Sequence, residues 1–334
     1  MVGEGTQSLL LDDIAAPLLP LLRDDVTDLC INGPGVVWIE TGGQWERLEA
    51  EALSGDWIGA FGRAVASWMS ASLNERSPIL SGHLPSGERI QFILPPAAEQ
   101  PSVTIRRPSR VSLGLDDLAR LGAFEPIARR DEEQAHHRAT VRSHFADVRL
   151  GDSGAVAAFL REIVEHRLNV IISGATGSGK TTLSKAMIAE VPAHERLITI
   201  EDAKELEFPH ANAVRLFFSR DGAGVSPATV KDLLVSCLRM RPDRIMLAEL
   251  RDEEAYYYLR NVNTGHPGSI TTVHANSAAA AVEQLMLMVL QSPAGAGLGR
   301  GNIRRLVHNL VDVIIQMDKK KVTEILILPE ADEC

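Results

Sequence analysis

Residues 174–181 read Gly-Ala-Thr-Gly-Ser-Gly-Lys-Thr. This pattern, G-x-x-x-x-G-K-[ST], suits the binding of a phosphate chain. Gly174, Gly177 and Gly179 let the backbone wrap closely around phosphate oxygens, and N–H groups at a helix N-terminus face the negative charge. Lys180 is spaced to reach the β- and γ-phosphates, and the Thr181 hydroxyl to ligate the Mg²⁺ that bridges them. Ala175, Thr176 and Ser178 complete the loop, and Thr182 flanks it as a further polar contact. The bare pattern arises by chance in about one chain in a hundred of this length. Its flanks argue against chance: Val170 to Ser173 is an apolar strand and Lys180 to Glu190 reads as a helix.

Hydrolysis needs a further group to orient or deprotonate water. In a parallel sheet the ligand crevice lies at the carboxyl ends of the strands. Leu197 to Ile200 runs into Glu201-Asp202, and Ile245 to Ala248 runs into Glu249. Both acids are candidates, with a helix cap or a surface ion pair as the plainer alternative for each. Ser269 to Val273 ends at His274, where a histidine beside the crevice suits a sensor. His266 has no clear reading.

These residues need a scaffold. From Gly151 onward strands alternate with helices, which implies a parallel sheet covered on both faces. The helices expected are Pro227–Met240 with Ser226 as N-cap, Asp252–Asn263 and Ala278–Gln291, and the strands include Arg244–Glu249. Val311–Met317 and Val322–Leu328 read as a hairpin around Asp318-Lys319-Lys320-Lys321. The first part, 1–109, reads as a smaller α+β domain. It has strands at Val26–Ile31, Val36–Glu40, Trp45–Leu48, Ile90–Leu94 and Ser102–Arg106, and a helix over Asp56–Leu73. Residues 110–150 read as a linker with a short helix near Leu115–Leu121. Its charge run holds Glu132, Glu133, His136 and His137, too few ligands on one helix face for a closed metal site.

Composition sets the outer limits. The chain has 334 residues, 34 Lys+Arg against 44 Asp+Glu, and a net charge of −10. With 45% hydrophobic residues it is globular rather than disordered, and the acidic balance argues against nonspecific coating of nucleic acid. Three distant cysteines without a C-x-x-C pair suit a reducing cytosol. No run suits a membrane span, the richest (Gln284–Leu290) being soon followed by Pro293. The leucine cluster from Leu9 to Leu22 reads as a broken amphipathic helix packed on the first domain, with a peripheral membrane contact as the alternative.

Four blocks in this order resemble the hexameric ATPases of type IV secretion systems, within the type II/IV secretion ATPase superfamily. They are GATGSGKTT at 174–182, ITIEDAKEL at 198–206, LRMRPDRIMLAELRD at 238–252 and GHPGSITTVHANS at 265–277. The likeness extends more loosely to VTDLCINGPGVVWIE at 26–40, LPSGERIQFILPP at 84–96 and SVTIRRPS at 102–109. One departure is Ala248, where the family often has glycine. The resemblance implies an α/β fold with a RecA-like P-loop ATPase domain over 151–334 and a mostly parallel sheet, preceded by the α+β domain. It implies ATP and Mg²⁺ as ligands, nucleotide held between the two domains, and a homo-hexameric ring. By the same likeness Glu201 and Glu249 are water-activating acids, with Glu249 near the metal, and His274 couples nucleotide state to conformation. Arg106 or Arg107 approaches the γ-phosphate, with Arg239 and Arg251 completing the charge clamp. The implied partners are inner-membrane subunits, other ATPases of the machine and a transported protein or nucleoprotein, at the cytoplasmic face of the inner membrane. The alternatives are a type II secretion or type IV pilus motor, a nucleic-acid translocase, and a nucleotide-gated scaffold.

Overall fold

The computed structural model describes residues 11–108, 114–124, 139–141, 143–145, 148, 152–220 and 226–328. The alternating apolar residues of the first hundred positions form an antiparallel sheet. Its strands are β1 (Asp28–Ile31), β2 (Val36–Thr41), β3 (Gln44–Glu49), β4 (Ile79–His83), β5 (Arg89–Ile93) and β6 (Ser102–Arg106), in the order β3-β2-β1-β6-β5-β4. Helix α1 (Gly55–Trp68) starts where Ser54 Oγ accepts the Trp57 N–H. It buries Ile58, Phe61 and Val65 at helical spacing against Leu29, Phe92 and Val103. The leucine cluster packs on this unit as expected: Leu11 and Leu18 join the same core, and Trp57 Nε1–H donates to the Ile14 carbonyl at 2.9 Å. The sequence reading did not include β4. Its Gly82 lacks strand propensity but leaves room for Met69, whose sulfur lies 2.1 Å from where a Cβ would sit.

Helix α2 (Leu115–Arg120) lies in the connecting segment, close to its expected position. Glu132, Glu133, His136 and His137 lie outside the described residues.

The second half builds a seven-stranded sheet from β7 (Val170–Gly174), β8 (Leu197–Glu201), β9 (Ala213–Phe217), β10 (Arg244–Leu250), β11 (Ile270–Val273), β12 (Val313–Asp318) and β13 (Lys321–Ile327). The order is β13-β12-β7-β11-β10-β8-β9, and every pairing is parallel except β12 with β13. Both faces are covered, as a parallel sheet requires. On one face α3 (Ser153–Glu165) and α4 (Lys180–Ala189) pack on Val170, Ile172 and Met246. On the other, α5 (Val230–Cys237), α6 (Glu254–Val262), α7 (Ala278–Gln291) and α8 (Arg300–Leu310) pack on Ile171, Ile245 and Leu247. Helix α5 is shorter than expected and its cap is Thr229, not Ser226. Thr229 Oγ1 accepts the Asp232 N–H, and the Asp232 carboxylate accepts the Thr229 N–H, both at 3.1 Å. Helices α3 and α8 and strand β9 are additions to the sequence reading.

The two sheets meet along β9. Residues 97–99 pair with this edge strand: Phe217 N–H donates to Ala97 O at 2.8 Å, and Glu99 N–H to Arg215 O at 2.9 Å. Arg196 is fully buried at this seam. Its Nη1 donates to Asn32 Oδ1 (2.8 Å) and Asn212 Oδ1 (2.6 Å), and its Nε to Met240 O (2.9 Å). The guanidinium carbon lies 5.6 Å from the Trp45 ring centroid. An Arg196→Leu substitution strands these acceptors and should lower stability by about 3 kcal/mol, read as a reduced urea midpoint. An unchanged midpoint would show that the seam contributes nothing to folding.

Candidate active site

Strand order assembles the site. β11 lies between β7 and β10, so the residue after β11 stands between the loop after β7 and the acid near the end of β10. That residue is His274. Its Nδ1 lies 3.3 Å from Lys180 Nζ, and its Nε2 lies 2.7 Å from Glu249 Oε1. A lysine ammonium can only donate, so Nδ1 is the acceptor and Nε2 carries the proton. Glu249 Oε2 accepts from Arg251 Nη2 at 2.6 Å, while Oε1 accepts no directed hydrogen bond among the described residues.

The loop itself is shaped for close approach. Gly174, Gly177 and Gly179 have φ of 155°, 74° and 101°. A Cβ on Gly174 would lie 2.5 Å from the Met317 carbonyl oxygen. Lys180 Nζ donates to Gly174 O (2.8 Å) and Ala175 O (3.0 Å). Burial lowers the Lys180 pKa, Glu249 opposes that shift, and Arg251 adds to it. Ser178 Oγ is buried and finds no hydrogen-bond partner among the described residues. Ala175, Thr176, Gly177 and Thr182 are exposed at the surface and Thr181 is half-buried. Flexible glycine backbone, an ammonium and a helix N-terminus form a donor set that fits a phosphate chain. The oxygens of Thr181 and Glu249 fit a hard divalent cation.

Glu201 sits apart from this line. It is fully buried near the end of β8; Oε1 accepts from Thr199 Oγ1 (2.8 Å), and Oε2 accepts the N–H groups of Glu205 (2.9 Å) and Leu206 (2.7 Å). Burial raises its pKa, and those hydrogen bonds oppose the shift. The two arginines at the end of β6 differ. Arg107 turns inward to the carbonyls of Leu22 and Arg23. Arg106 stays exposed, 3.9 Å from Asp28. Arg239 is exposed and makes no ion pair among the described residues. His266 is half-buried near Pro242, beyond the amino end of β11, and burial lowers its pKa.

Two further residues belong in the picture. Arg89 is the cross-strand partner of Arg106, and both are exposed. Like charges directly opposite each other destabilise a sheet, so this pair is a signal in its own right, but one visible only once the register is known. Arg220 ties the strand ends together. It reaches Asp202 (3.1 Å), Glu254 (2.9 Å) and the Glu249 carbonyl (3.4 Å). Glu254 also accepts the Arg251 N–H at 3.2 Å. No motif marks Arg220 in the sequence.

The type II/IV secretion system protein family matches residues 12–319. The type IV secretion system protein VirB11 of Bartonella henselae is 44% identical over 324 residues, covering 92% of this chain and 90% of the relative. That of Brucella suis is 40% identical over 307 residues, covering 90% and 83%. A crystal structure of the VirB11 ATPase from the Brucella suis type IV secretion system, in complex with sulphate, has a TM-score of 0.86 to this chain. It is 36% identical, covering 97% of this chain and 96% of that one.

The buried Glu201 gives a pH test. Its raised pKa means the fold favours the protonated carboxyl. That contribution is complete below the ordinary carboxylate pKa and is lost as pH rises through the raised value. Glutamine imitates the neutral form. The melting temperature of Glu201→Gln relative to the parent should therefore climb between about pH 5 and 8. A relative melting temperature that falls over this range would contradict the shift.

Proposed function

This chain belongs to the type II/IV secretion system protein family and is an ATPase of type IV secretion, and we propose that two copies share each of its nucleotide sites. The observation that carries the site assignment is the contiguous line Lys180–His274–Glu249. In this reading the loop 174–182 grips the phosphates and Lys180 moves from the Gly174 and Ala175 carbonyls onto the β- and γ-phosphates. Magnesium, when bound, supplies charge neutralisation between those phosphates, with Thr181 and Glu249 as the oxygen donors at hand. Glu249 orients and deprotonates water through Oε1, while Arg251 restrains Oε2. We assign this role to Glu249 rather than Glu201, because both Glu201 oxygens already hold Thr199 and the backbone at 205–206. Glu201 instead shapes the turn after β8.

The placement of Arg106 supports a shared site. Its neighbour Asp28 also lies 3.8 Å from Arg241, which precedes β10, whereas Glu249 lies near the far end of that strand. Seven residues of strand span about 20 Å, too far for an arginine to reach its own chain's phosphates. In our reading Arg106, and Arg89 facing it, serve the phosphates of a neighbouring copy in a six-membered ring. There they neutralise charge on the transferring phosphoryl group. The first 109 residues then act as one domain and 151–334 as the other, joined by 110–150. Closure on ATP and release after phosphate loss do the work.

No helix among the described residues is long and apolar enough to cross a membrane. The ring is proposed to dock on inner-membrane subunits and companion ATPases at the cytoplasmic face, and to energise transfer of a protein or nucleoprotein.

Two experiments test this reading. Glu249→Gln should bind ATP as the parent does and cleave it at least about a hundredfold more slowly; unchanged turnover would remove Glu249 from the mechanism. Lys180→Ala and Arg106→Ala should each be inactive alone. Mixed in equal amounts and allowed to exchange subunits, they should recover about a quarter of the parent rate, since one site in four then pairs two intact halves. No recovery from mixed assemblies would refute a site shared between copies.

A further inference from the structure

We propose that the turn Lys319-Lys320 is an accessory phosphate-binding element, reaching the nucleotide's phosphates from the side of the loop opposite His274. The proposal rests on the reading of 174–182 as the nucleotide loop. Strand β12 pairs with β7 on the side away from β11, and their last register pair is Met317 with Gly174. The hairpin therefore continues past the end of β7 alongside the loop. Contact is direct: Lys320 N–H donates to Ser178 O at 2.9 Å. A Cβ on Gly179 would stand 3.3 Å from Lys320 Cα and 3.2 Å from Met317 Cε, tighter than ordinary contact.

The residue types are the anomaly. Asp318 and Lys321 pair across the hairpin, leaving a two-residue turn whose φ angles are 44° at Lys319 and 63° at Lys320. Positive φ at both positions is the geometry that selects Asn-Gly, and lysine fits it poorly. A hairpin that served only to join two strands would not call for lysines here. Lys319, Lys320 and Lys321 are all exposed, and none forms an ion pair among the described residues, Asp318 included. They form the only three-lysine run in a chain of net charge −10. Exposed ammonium groups on flexible stems, in a turn whose Lys320 backbone is held against a phosphate loop, suit an anion that arrives with the nucleotide.

The test separates turn geometry from charge in the full-length protein, with a fluorescent ADP analogue as the probe. Lys319→Asn combined with Lys320→Gly supplies the residues the turn favours and removes two charges. It should melt no lower than the parent, yet bind the analogue about fivefold more weakly at low salt, with the gap closing at high salt. Lys319→Arg combined with Lys320→Arg, which keeps the charge, should retain affinity. Parental affinity in the Asn-Gly variant at low salt would overturn the proposal. So would unchanged affinity with an altered oligomer mass, which would place the lysines at a neighbour's acidic surface. Lys180→Ala distinguishes the underlying reading. If it loses affinity while the Asn-Gly variant does not, only the lysine turn fails; if it keeps affinity, both readings fail.

Discussion

The site depends on one constraint, the neighbour relation β7–β11–β10. Parallel strands deliver their carboxyl ends to a common edge, so the residues leaving one strand stand beside those leaving its neighbour. That geometry brings an ammonium, an imidazole and a carboxylate into line through Lys180, His274 and Glu249. The imidazole accepts from Lys180 through Nδ1 and sets Nε2 2.7 Å from Glu249 Oε1, an electrostatic contact rather than a directed hydrogen bond. A change at Lys180 therefore has a direct route to Glu249, through a ring whose tautomer is set by its partners. Thr272 Oγ1, donating to Ala248 O at 2.9 Å, helps hold β10 against β11 at the same level.

The opposite edge of the sheet does different work. There the chain fastens its first unit to its second through Arg196, the pairing of 97–99 with β9, and Arg241 beside Asp28 and Glu40. These groups are buried or half-buried, and several are hydrogen-bonded across the seam, so this contact resists opening. In the proposed shared site, movement driven by nucleotide falls at contacts between copies, where the exposed Arg89 and Arg106 would stand. The length of β10 separates fastening from chemistry.

The sequence made the candidate site more legible than the scaffold. The loop 174–181 declares itself because backbone wrapping admits few residue types. Glu249 and His274 are marked by apolar strands that end at polar residues. The broad α/β alternation comes from the same apolar runs. The elements that were missed have physical reasons. β4 is an edge strand interrupted by Gly82, and α8 carries an apolar stripe inside an otherwise charged helix, so local propensity hides both. The cap of α5 depended on a reciprocal pair, Thr229 with Asp232, rather than on the first serine available. Arg89 and Arg220 matter through register and long-range pairing, which no local pattern records. The choice between Arg106 and Arg107 rested on which guanidinium the carbonyls of Leu22 and Arg23 draw inward, a fact of packing.

The central claim is that His274 relays the state of the phosphate site to Glu249. The direct measurement is the ¹⁵N resonance of the His274 ring nitrogens, assigned by comparison with His274→Gln. The account predicts an Nε2–H tautomer in the free protein, with an Nδ1 signal that shifts when a nonhydrolysable ATP analogue draws Lys180 away. An Nδ1 signal indifferent to the analogue, or protonated at that nitrogen in the free protein, would contradict it.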